Sequence, residues 1–165
     1  MADHVDRIVE EWRRERPDLD VAALALLARL FRTAHVADAV LGEQLAAHGL
    51  QPGWFDLLAA LRRAGPPYEL NPKQLMGATM LSSGGMTKRL DRLAEAGLVE
   101  RRPDPTDRRG TLVRLTRRGK ATIDEALEAH LANERELLAP LTRAQQRTLD
   151  ELLRALLATL DRPAG

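Results

Sequence analysis

The chain has 165 residues, a formal net charge of +1 and no cysteine. This length suggests one domain, or one domain with a small appendage, and the lack of cysteine excludes disulfides, thiolate metal sites and a cysteine nucleophile. Hydrophobic residues make up 44% of the chain but aromatic residues only 3%, so leucine and alanine must fill the core, which favours helices. A charged N-terminus without a long apolar run argues against a secretion signal and a membrane span, and predicts a soluble cytoplasmic protein.

Apolar spacing predicts three helices in the first part of the chain. Apolar residues from Val5 to Trp12 recur at helical intervals, which predicts an amphipathic helix over residues 3–15. A long helix rich in alanine and leucine is expected over residues 21–48. A third helix begins near Pro52 and ends at a Gly-Pro-Pro sequence.

Two shorter helices, separated by a turn, are expected next. Residues 68–70 predict a short edge strand, and Asn71 then suits the cap of a helix with the sequence PKQLMGAT. The second helix opens near Ser82, and its apolar residues from Met86 to Leu93 fall at helical spacing. Two short helices joined in this way form a helix-turn-helix.

A two-stranded wing follows the second of these helices. Gly97 ends the helix, since glycine tolerates the positive φ that a helix end requires. Residues 98–102 predict a strand, the sequence PDPTDRRG predicts a turn, and residues 111–115 alternate as the return strand. The expected fold is therefore mainly α, a winged helix-turn-helix with long N- and C-terminal dimerisation helices.

Positive charge is concentrated between Ser82 and Lys120. This stretch holds eleven Lys and Arg residues against five Asp and Glu, a local balance of +6 in a chain whose total is +1. Charge alone is equally typical of a solvated surface helix with a charged hairpin. Because the basic stretch coincides with the helix, the wing and an arginine-rich turn, it indicates double-stranded DNA as the partner.

Two further helices are predicted after the wing. Thr116 suits the cap of a long helix that ends at Pro140, and Thr142 suits the cap of the last helix. The last helix carries a leucine stripe between Leu149 and Leu160, which predicts a homodimer formed by the terminal helices. Two-fold symmetry also suits a DNA reader, because two recognition helices then meet two half-sites.

The segment QLMGATMLSSGGMTKRLDRLAEAGLVERRPDPTDRRGTLVRLTRRG resembles the winged helix of MarR-family transcriptional regulators. The DPTDRRG turn, followed by LVRLT and a glycine, is similar to the family's wing signature. The resemblance covers about residues 21–160 and implies a dimeric regulator that binds a palindromic operator. The extra first helix carrying Trp12, together with WFDLLAALRRAG and SSGGMTKRLDRL, resembles the urate-responsive branch of that family.

The recognition helix and the wing tip supply the candidate DNA contacts. The candidates on the helix, which should face away from its apolar stripe, are Ser83, Gly84, Thr87, Lys88 and Arg92. Hydroxyl groups can read base edges or phosphates, and Lys88 suits guanine or phosphate. Gly84 and Gly85 are expected inside the first turn of the helix, where each costs roughly 1 kcal/mol relative to alanine but permits close approach to the duplex. In the wing the candidates are Arg108 and Arg109, and the resemblance implies that Arg109 enters the minor groove.

Two charged residues beside apolar stripes are candidates for a small-anion site. Arg89 adjoins the stripe of the recognition helix, and Asp56 lies among apolar residues of the third helix. One interpretation is a buried Asp56–Arg89 ion pair that only fixes packing, and the other is a pocket for a small anion. The resemblance to the urate-responsive branch implies that Trp12, Asp56, Arg89 and Arg101 line the ligand site. Urate is planar and anionic near neutral pH, which suits an arginine fork, a carboxylate acceptor and an indole.

We therefore expect a transcriptional repressor that a small anionic effector, urate or a related purine, releases from its operator. The alternatives are a ligand-independent or architectural DNA-binding protein, and a regulator of the same type that senses a polycarboxylate or a phenolic compound. No cofactor, metal site or enzymatic activity is predicted, because the four histidines lack metal-ligand spacing and no catalytic motif is present. The expected division is N-terminal ligand-side and dimerisation helices (1–50), a DNA-binding domain (51–120) and C-terminal dimerisation helices (121–165).

Overall fold

The computed structural model describes residues 2–79, 81, 84–107 and 110–161, which form helices and one antiparallel sheet. The first three helices are α1 (His4–Glu15), α2 (Ala22–Ala47) and α3 (Trp54–Arg63). Their positions agree with the apolar spacing of the sequence. Since the charged first residues of α1 cannot drive burial, side-chain capping and a small valine cluster hold this helix in place.

α1 is attached to α2 by an ion-pair network and by that cluster. Asp3 accepts a hydrogen bond from the Asp6 backbone N–H at 2.9 Å, and Asp6 accepts one from the Asp3 N–H at 2.8 Å. Arg29 of α2 pairs with both carboxylates, with 2.8 Å between its Nε and Asp3 Oδ2. Val5 and Val9 pack below the network against Val21, so the apolar face of α1 is turned toward α2.

The winged helix-turn-helix occupies the middle of the chain. Its elements are β1 (Glu69–Leu70), α4 (Pro72–Gly77), α5 (Met86–Glu95), β2 (Val99–Pro103) and β3 (Thr111–Leu115). β3 is the central strand, because it pairs with β1 on one side and with β2 on the other, where Val113 lies opposite Arg101. The sheet is small and lies beside α5, which confirms the predicted helix–wing order.

Two long helices complete the chain, α6 (Arg117–Leu138) and α7 (Arg143–Leu160). Both begin at threonine caps, as the sequence predicted. Thr116 Oγ1 accepts the Gly119 backbone N–H at 2.9 Å, and Thr142 Oγ1 accepts the Gln145 N–H at 3.3 Å. No helix in the described part of the chain is long and apolar enough to cross a membrane.

One hydrophobic core joins α3, α5, the sheet and the first half of α6. Its large side chains with essentially no exposed surface are Leu57, Leu58, Leu61, Leu75, Leu93, Val113 and Ile123. Leucine dominates this core, as the scarcity of aromatic residues led us to expect. Because Ile123 and Ala126 of α6 lie in the same core, the beginning of α6 is anchored to the DNA-binding part.

α2 and α7 differ from the other long elements, since neither has a buried residue among those described. The leucine stripe of α7 is open to solvent in the single chain. Leu152 is 64% exposed and Leu160 69% exposed. A contiguous apolar face of this length is unusual on a monomeric protein.

Candidate nucleic-acid interface and neighbouring cavities

α5 presents one face to the core and the other to solvent. Its buried residues are Met86, Leu90 and Leu93. The exposed residues include three of the predicted DNA contacts, which are Thr87, Lys88 and Arg92. A helix with an exposed face carrying a hydroxyl and two cations suits the major groove, where it can contact base edges and phosphates together.

The turn before α5 differs from the prediction. The helix begins at Met86 rather than near Ser82, and Gly85 precedes it as a cap with a φ of 78°. Gly84 is an exposed turn residue, so neither glycine carries the helix-interior cost that the sequence had suggested. The left-handed φ explains the glycine at position 85, because other L-residues are strained there. The predicted contact Ser83 lies outside the described residues.

Arg89 connects α5 back to this turn. Its Nη1 donates a hydrogen bond to the Gly84 carbonyl oxygen at 2.8 Å. The side chain lies against two left-handed glycines, since a Cβ on Gly53 would be 3.1 Å from Arg89 Nε and one on Gly85 would be 3.4 Å from its Nη1. The half-buried guanidinium thus occupies a space that larger residues at these positions would fill.

An ion pair links the wing to the recognition helix. Arg101 Nη2 of β2 lies 2.7 Å from Asp91 Oδ1 of α5, and both side chains are more than two-fifths exposed. In the wing turn, Asp104 Oδ1 accepts from the Thr106 hydroxyl at 2.6 Å and from its N–H at 2.8 Å. These hydrogen bonds lower the pKa of Asp104. The predicted wing-tip contacts Arg108 and Arg109 lie outside the described residues.

A basic cavity of about 310 Å³ lies between α5 and the beginning of α3. It is lined by Gln51, Pro52, Trp54, Gly85, Lys88, Arg89 and Arg92. Three of these residues are cations and none is an acid, so the cavity is electrostatically suited to an anion. Arg92 also reaches the opposite wall, where its Nη1 is 3.5 Å from Gln51 Oε1.

An acidic cavity of about 460 Å³ lies on the other side of the turn formed by residues 51–53, between α2, α3 and α6. Its ionisable lining residues are Asp38, Asp56, His130 and Glu134. No Lys or Arg of the described chain lines it. The His130 ring stacks at a tilt on Phe55, with 4.3 Å between the centroids.

The four predicted ligand residues are not brought together in the single chain. Arg89 lines the basic cavity, whereas Asp56 lines the acidic one. Trp12 is 44% exposed on α1 and lines neither cavity, and Arg101 pairs with Asp91. The described residues contain no Asp56–Arg89 ion pair, so the packing interpretation of these two residues is wrong. Their assignment to one ligand site stays a prediction.

The sequence analysis did not predict the residues that surround Arg89 in the basic cavity. The helical spacing of Lys88 and Arg92 places both beside Arg89, and this signal was present in the sequence. The sequence did not show that Gln51 and Trp54 form the opposite wall of the basic cavity, because this depends on how α3 docks against α5. The described residues contain no cluster of three or more side chains suited to a metal ion.

Comparison with known proteins gives consistent matches. A family model described as MarR family matches residues 48–110. The HTH-type transcriptional regulator PecS of Dickeya dadantii is 41% identical over 136 residues, which cover 82% of each chain. The crystal structure of a mutant MarR from E. coli complexed with operator DNA matches with a TM-score of 0.71 and 28% identity, covering 88% of this chain and 97% of that one.

A third match is a structure that concerns the mechanism for regulation of DNA binding of Bordetella bronchiseptica BpsR by 6-hydroxynicotinic acid. It has a TM-score of 0.70 and 25% identity, and covers 78% of this chain and 90% of that one. The similar proteins are transcriptional regulators rather than enzymes.

Proposed function

The chain belongs to the MarR family of DNA-binding transcriptional regulators, and from that premise we propose that it is a repressor released from its operator by a small planar anion. The operator is a palindrome, bound by a homodimer. Urate or a related purine is the effector that best combines the required charge and shape.

The DNA-binding part of the proposal is supported by the free face of α5. Thr87, Lys88 and Arg92 are exposed on it, and Gly84 precedes it in an exposed turn. The cations account for affinity through phosphates, and the hydroxyl and Lys88 can contact base edges.

The homodimer is supported by the apolar face of α7. A single chain leaves Leu152, Leu157 and Leu160 more than half exposed. Burying such a stripe against a second copy removes it from water and places two α5 helices in a symmetric pair, as a palindrome requires.

The effector part rests above all on the position of Arg89, which lines the basic cavity and holds the Gly84 carbonyl. An anion in the cavity competes for the same guanidinium. If Arg89 turns to the anion, the Gly84 carbonyl loses its donor, and the turn that leads into α5 is no longer held. Binding of the effector is thereby coupled to the DNA-facing end of the helix.

BpsR gives a parallel for the class of effector. The regulator of DNA binding by that protein is 6-hydroxynicotinic acid, a planar nitrogen heterocycle with an acidic group. Urate has the same general character. Trp54 in the cavity wall offers an aromatic surface for such a ring.

The test is fluorescence anisotropy of a labelled palindrome from the neighbouring intergenic region, titrated with urate at fixed salt. Wild-type protein should bind the palindrome and release it as urate rises. Arg89→Ala removes the donor to the Gly84 carbonyl permanently, so it should bind the palindrome more weakly than wild type even without urate and lose most of the urate response. Arg89→Lys should recover both only in part because it lacks the guanidinium fork. Arg135→Ala, an exposed arginine on α6, is the matched control and should respond normally.

Each departure from this pattern has a distinct meaning. Full urate-induced release in Arg89→Ala contradicts the assignment of the effector site. If urate leaves binding to the palindrome unchanged but a polycarboxylate or a phenol releases the DNA, that compound is the effector instead of urate. Equal binding to any duplex, with salt dependence alone, contradicts the palindromic operator and supports the architectural alternative.

A further inference from the structure

α6 is the element that connects the winged domain to the terminal helices. Ile123 and Ala126 in its first half lie in the core of the winged domain. The helix also packs against α2 and ends with the exposed Leu137 and Leu138. In the proposed homodimer, the angle at which α6 leaves the winged domain therefore determines where the two recognition helices lie.

A cluster of charged side chains around one tyrosine lies where α6 leaves that domain. We call it the Tyr68 clamp, and its members are Arg62, Tyr68, Lys120 and Asp124. Asp124 Oδ1 accepts a hydrogen bond from Arg62 Nε of α3 at 2.6 Å, and its Oδ2 accepts one from Lys120 Nζ at 2.7 Å. The centroid of the Tyr68 ring is 5.1 Å from Arg62 Cζ and 5.8 Å from Lys120 Nζ, within the range of cation–π contacts.

The clamp is better suited to fixing an orientation than to adding stability. Its ion pairs are half-buried, and a single ion pair near the surface contributes little. Here, however, both oxygens of one carboxylate are held by different cations. The hydrogen bonds from Lys120 and Arg62 also lower the pKa of Asp124, which keeps it charged. Apolar contacts are non-directional, whereas these hydrogen bonds depend on the angle between α3 and α6.

Tyr68 links the clamp to the sheet. Its carbonyl oxygen accepts the Leu115 backbone N–H of β3 at 3.1 Å. Its φ is 62°, a left-handed conformation that is uncommon for a bulky residue. Residues keep such a conformation only where the surrounding structure imposes it. The ring is therefore held in place between α3, the sheet and the start of α6.

The length of α6 amplifies any change of angle at the clamp. From Asp124 to Leu138 the helix extends roughly 21 Å, so a rotation of about 10° moves its far end by roughly 4 Å. One base pair extends the DNA by about 3.4 Å. A small rotation is thus comparable to a change of one base pair in the distance between half-sites.

We propose that the Tyr68 clamp is a positioning device that selects the spacing of the operator half-sites by fixing the angle between α6 and the winged domain. Its residues act through α6 and need not contact DNA. The inference rests on the proposed homodimer and palindromic operator.

Palindromes with identical half-sites, placed one base pair closer or one or two base pairs further apart, test this selection. Wild type should prefer one spacing in fluorescence anisotropy. Asp124→Asn removes the shared charge, and Tyr68→Leu removes the ring. In both variants the ratio of affinities for the preferred and the next-best spacing should fall about threefold or more, because a looser joint adapts at lower cost to other spacings. Tyr68→Phe keeps the ring and should retain the preference.

Glu125→Gln is the matched control for Asp124→Asn, because it removes one charge from the adjacent, exposed position of α6. It should leave the spacing preference unchanged. A purely structural role of the clamp would lower affinity by the same factor at every spacing. Uniform loss in Asp124→Asn and Tyr68→Leu would therefore overturn the proposal, as would an unaltered preference in both.

A distance measurement without DNA tests the angle itself. The chain has no cysteine, so spin labels can be attached specifically through Glu95→Cys on α5 and Glu136→Cys on α6, both at exposed positions. Labelled protein is mixed with an excess of unlabelled protein, so that double electron–electron resonance reports the distance within one chain. Adding Asp124→Asn or Tyr68→Leu should broaden or shift this distance distribution, and Glu125→Gln should not.

The two measurements separate failure of the clamp from failure of the proposed function. Distance distributions that are unchanged in both clamp variants would overturn the proposal even if wild type binds one palindrome tightly. Wild type that binds no palindrome would contradict the proposed function and the selection of spacing together. The distance distributions would then still show whether the clamp holds α6.

Discussion

Gly119 lies where the first turn of α6 meets the backbone that leaves α5. A Cβ at this position would be only 1.8 Å from the Leu98 carbonyl oxygen and 2.8 Å from its carbonyl carbon. The contact involves backbone, which cannot turn aside as a flexible side chain can. Thr116 reinforces the junction, since its hydroxyl donates to the Gly97 carbonyl at 2.7 Å. The glycine therefore sets how closely α6 approaches the DNA-binding domain.

Gly119→Ala should destabilise the protein by roughly 1 to 3 kcal/mol, the usual range for forcing an extra group into a packed site. Urea unfolding followed by circular dichroism measures the change in the free energy of unfolding. Gly77→Ala is the control, because a Cβ there meets nothing within 4 Å, and it should be neutral or slightly stabilising. Equal stability of Gly119→Ala and wild type would show that the junction relaxes freely.

Individual residues also show where sequence reasoning stops. The exposure of Lys88 and Arg92 followed from the helical spacing of Met86, Leu90 and Leu93, because spacing along one helix fixes its faces. The sequence did not predict that Asp56 and Arg89 are separated. Each lies beside the apolar stripe of its own helix, but the turn at residues 51–53 lies between the two cavities that they line. That division arises only when α3 packs between α5 and α6.

At the scale of elements, local signals predicted most of the fold. The caps at Asn71, Thr116 and Thr142 are formed as expected, since capping involves residues within one turn of each other. The start of α5 was missed because a glycine in a sequence does not reveal its φ. Gly85 takes the left-handed conformation and delays the helix to Met86. Helices with side-chain caps were thus predictable, whereas the start of α5 after the left-handed Gly85 was not.

α1 is expected to be sensitive to acid, because its capping residue Asp3 has a lowered pKa. The hydrogen bond from Arg29, followed by that from the Asp6 backbone, lowers the pKa of Asp3 from 3.8 to about 2. A lowered pKa means that the stabilisation is complete above the ordinary value and is lost as the pH falls through the folded one. We expect α1 to detach from α2 between about pH 4 and pH 2, while the amides of α3 stay protected for longer.

Hydrogen exchange with mass spectrometry measures this order of detachment. Asp3→Asn keeps a good capping residue but removes the charge, so its α1 should exchange faster at neutral pH and show a weaker dependence on pH in the acid range. If the protection factors of the α1 amides in the wild type, corrected for the intrinsic pH dependence of exchange, are equal at pH 4 and pH 2, the Arg29 network contributes nothing to its docking.

For the whole molecule, the exposed leucines of α7 predict dependence on a second copy. Leu152→Glu places a charge in the middle of the apolar face and should shift the protein toward monomer. Binding to the palindrome should fall by about tenfold or more, because two linked half-site contacts become one. Sedimentation velocity measures the mass and anisotropy measures the affinity.

Ala158→Glu is the matched control on the opposite side of α7, and it should keep both the dimer mass and the affinity. A dimeric Leu152→Glu protein would contradict the role of this helix in assembly. A monomeric variant with undiminished affinity for the palindrome would show that DNA recognition does not require the dimer.

The lack of buried residues in α7 gives this helix a further property. An 18-residue helix without a buried side chain is marginally stable in water, so its helical state depends on what covers it. Dilution alone should then melt α7 while the core around Leu57 and Ile123 stays folded. If the mean residue ellipticity in the far ultraviolet falls as the protein is diluted at constant temperature and solvent, the helicity of α7 reports the association of the subunits.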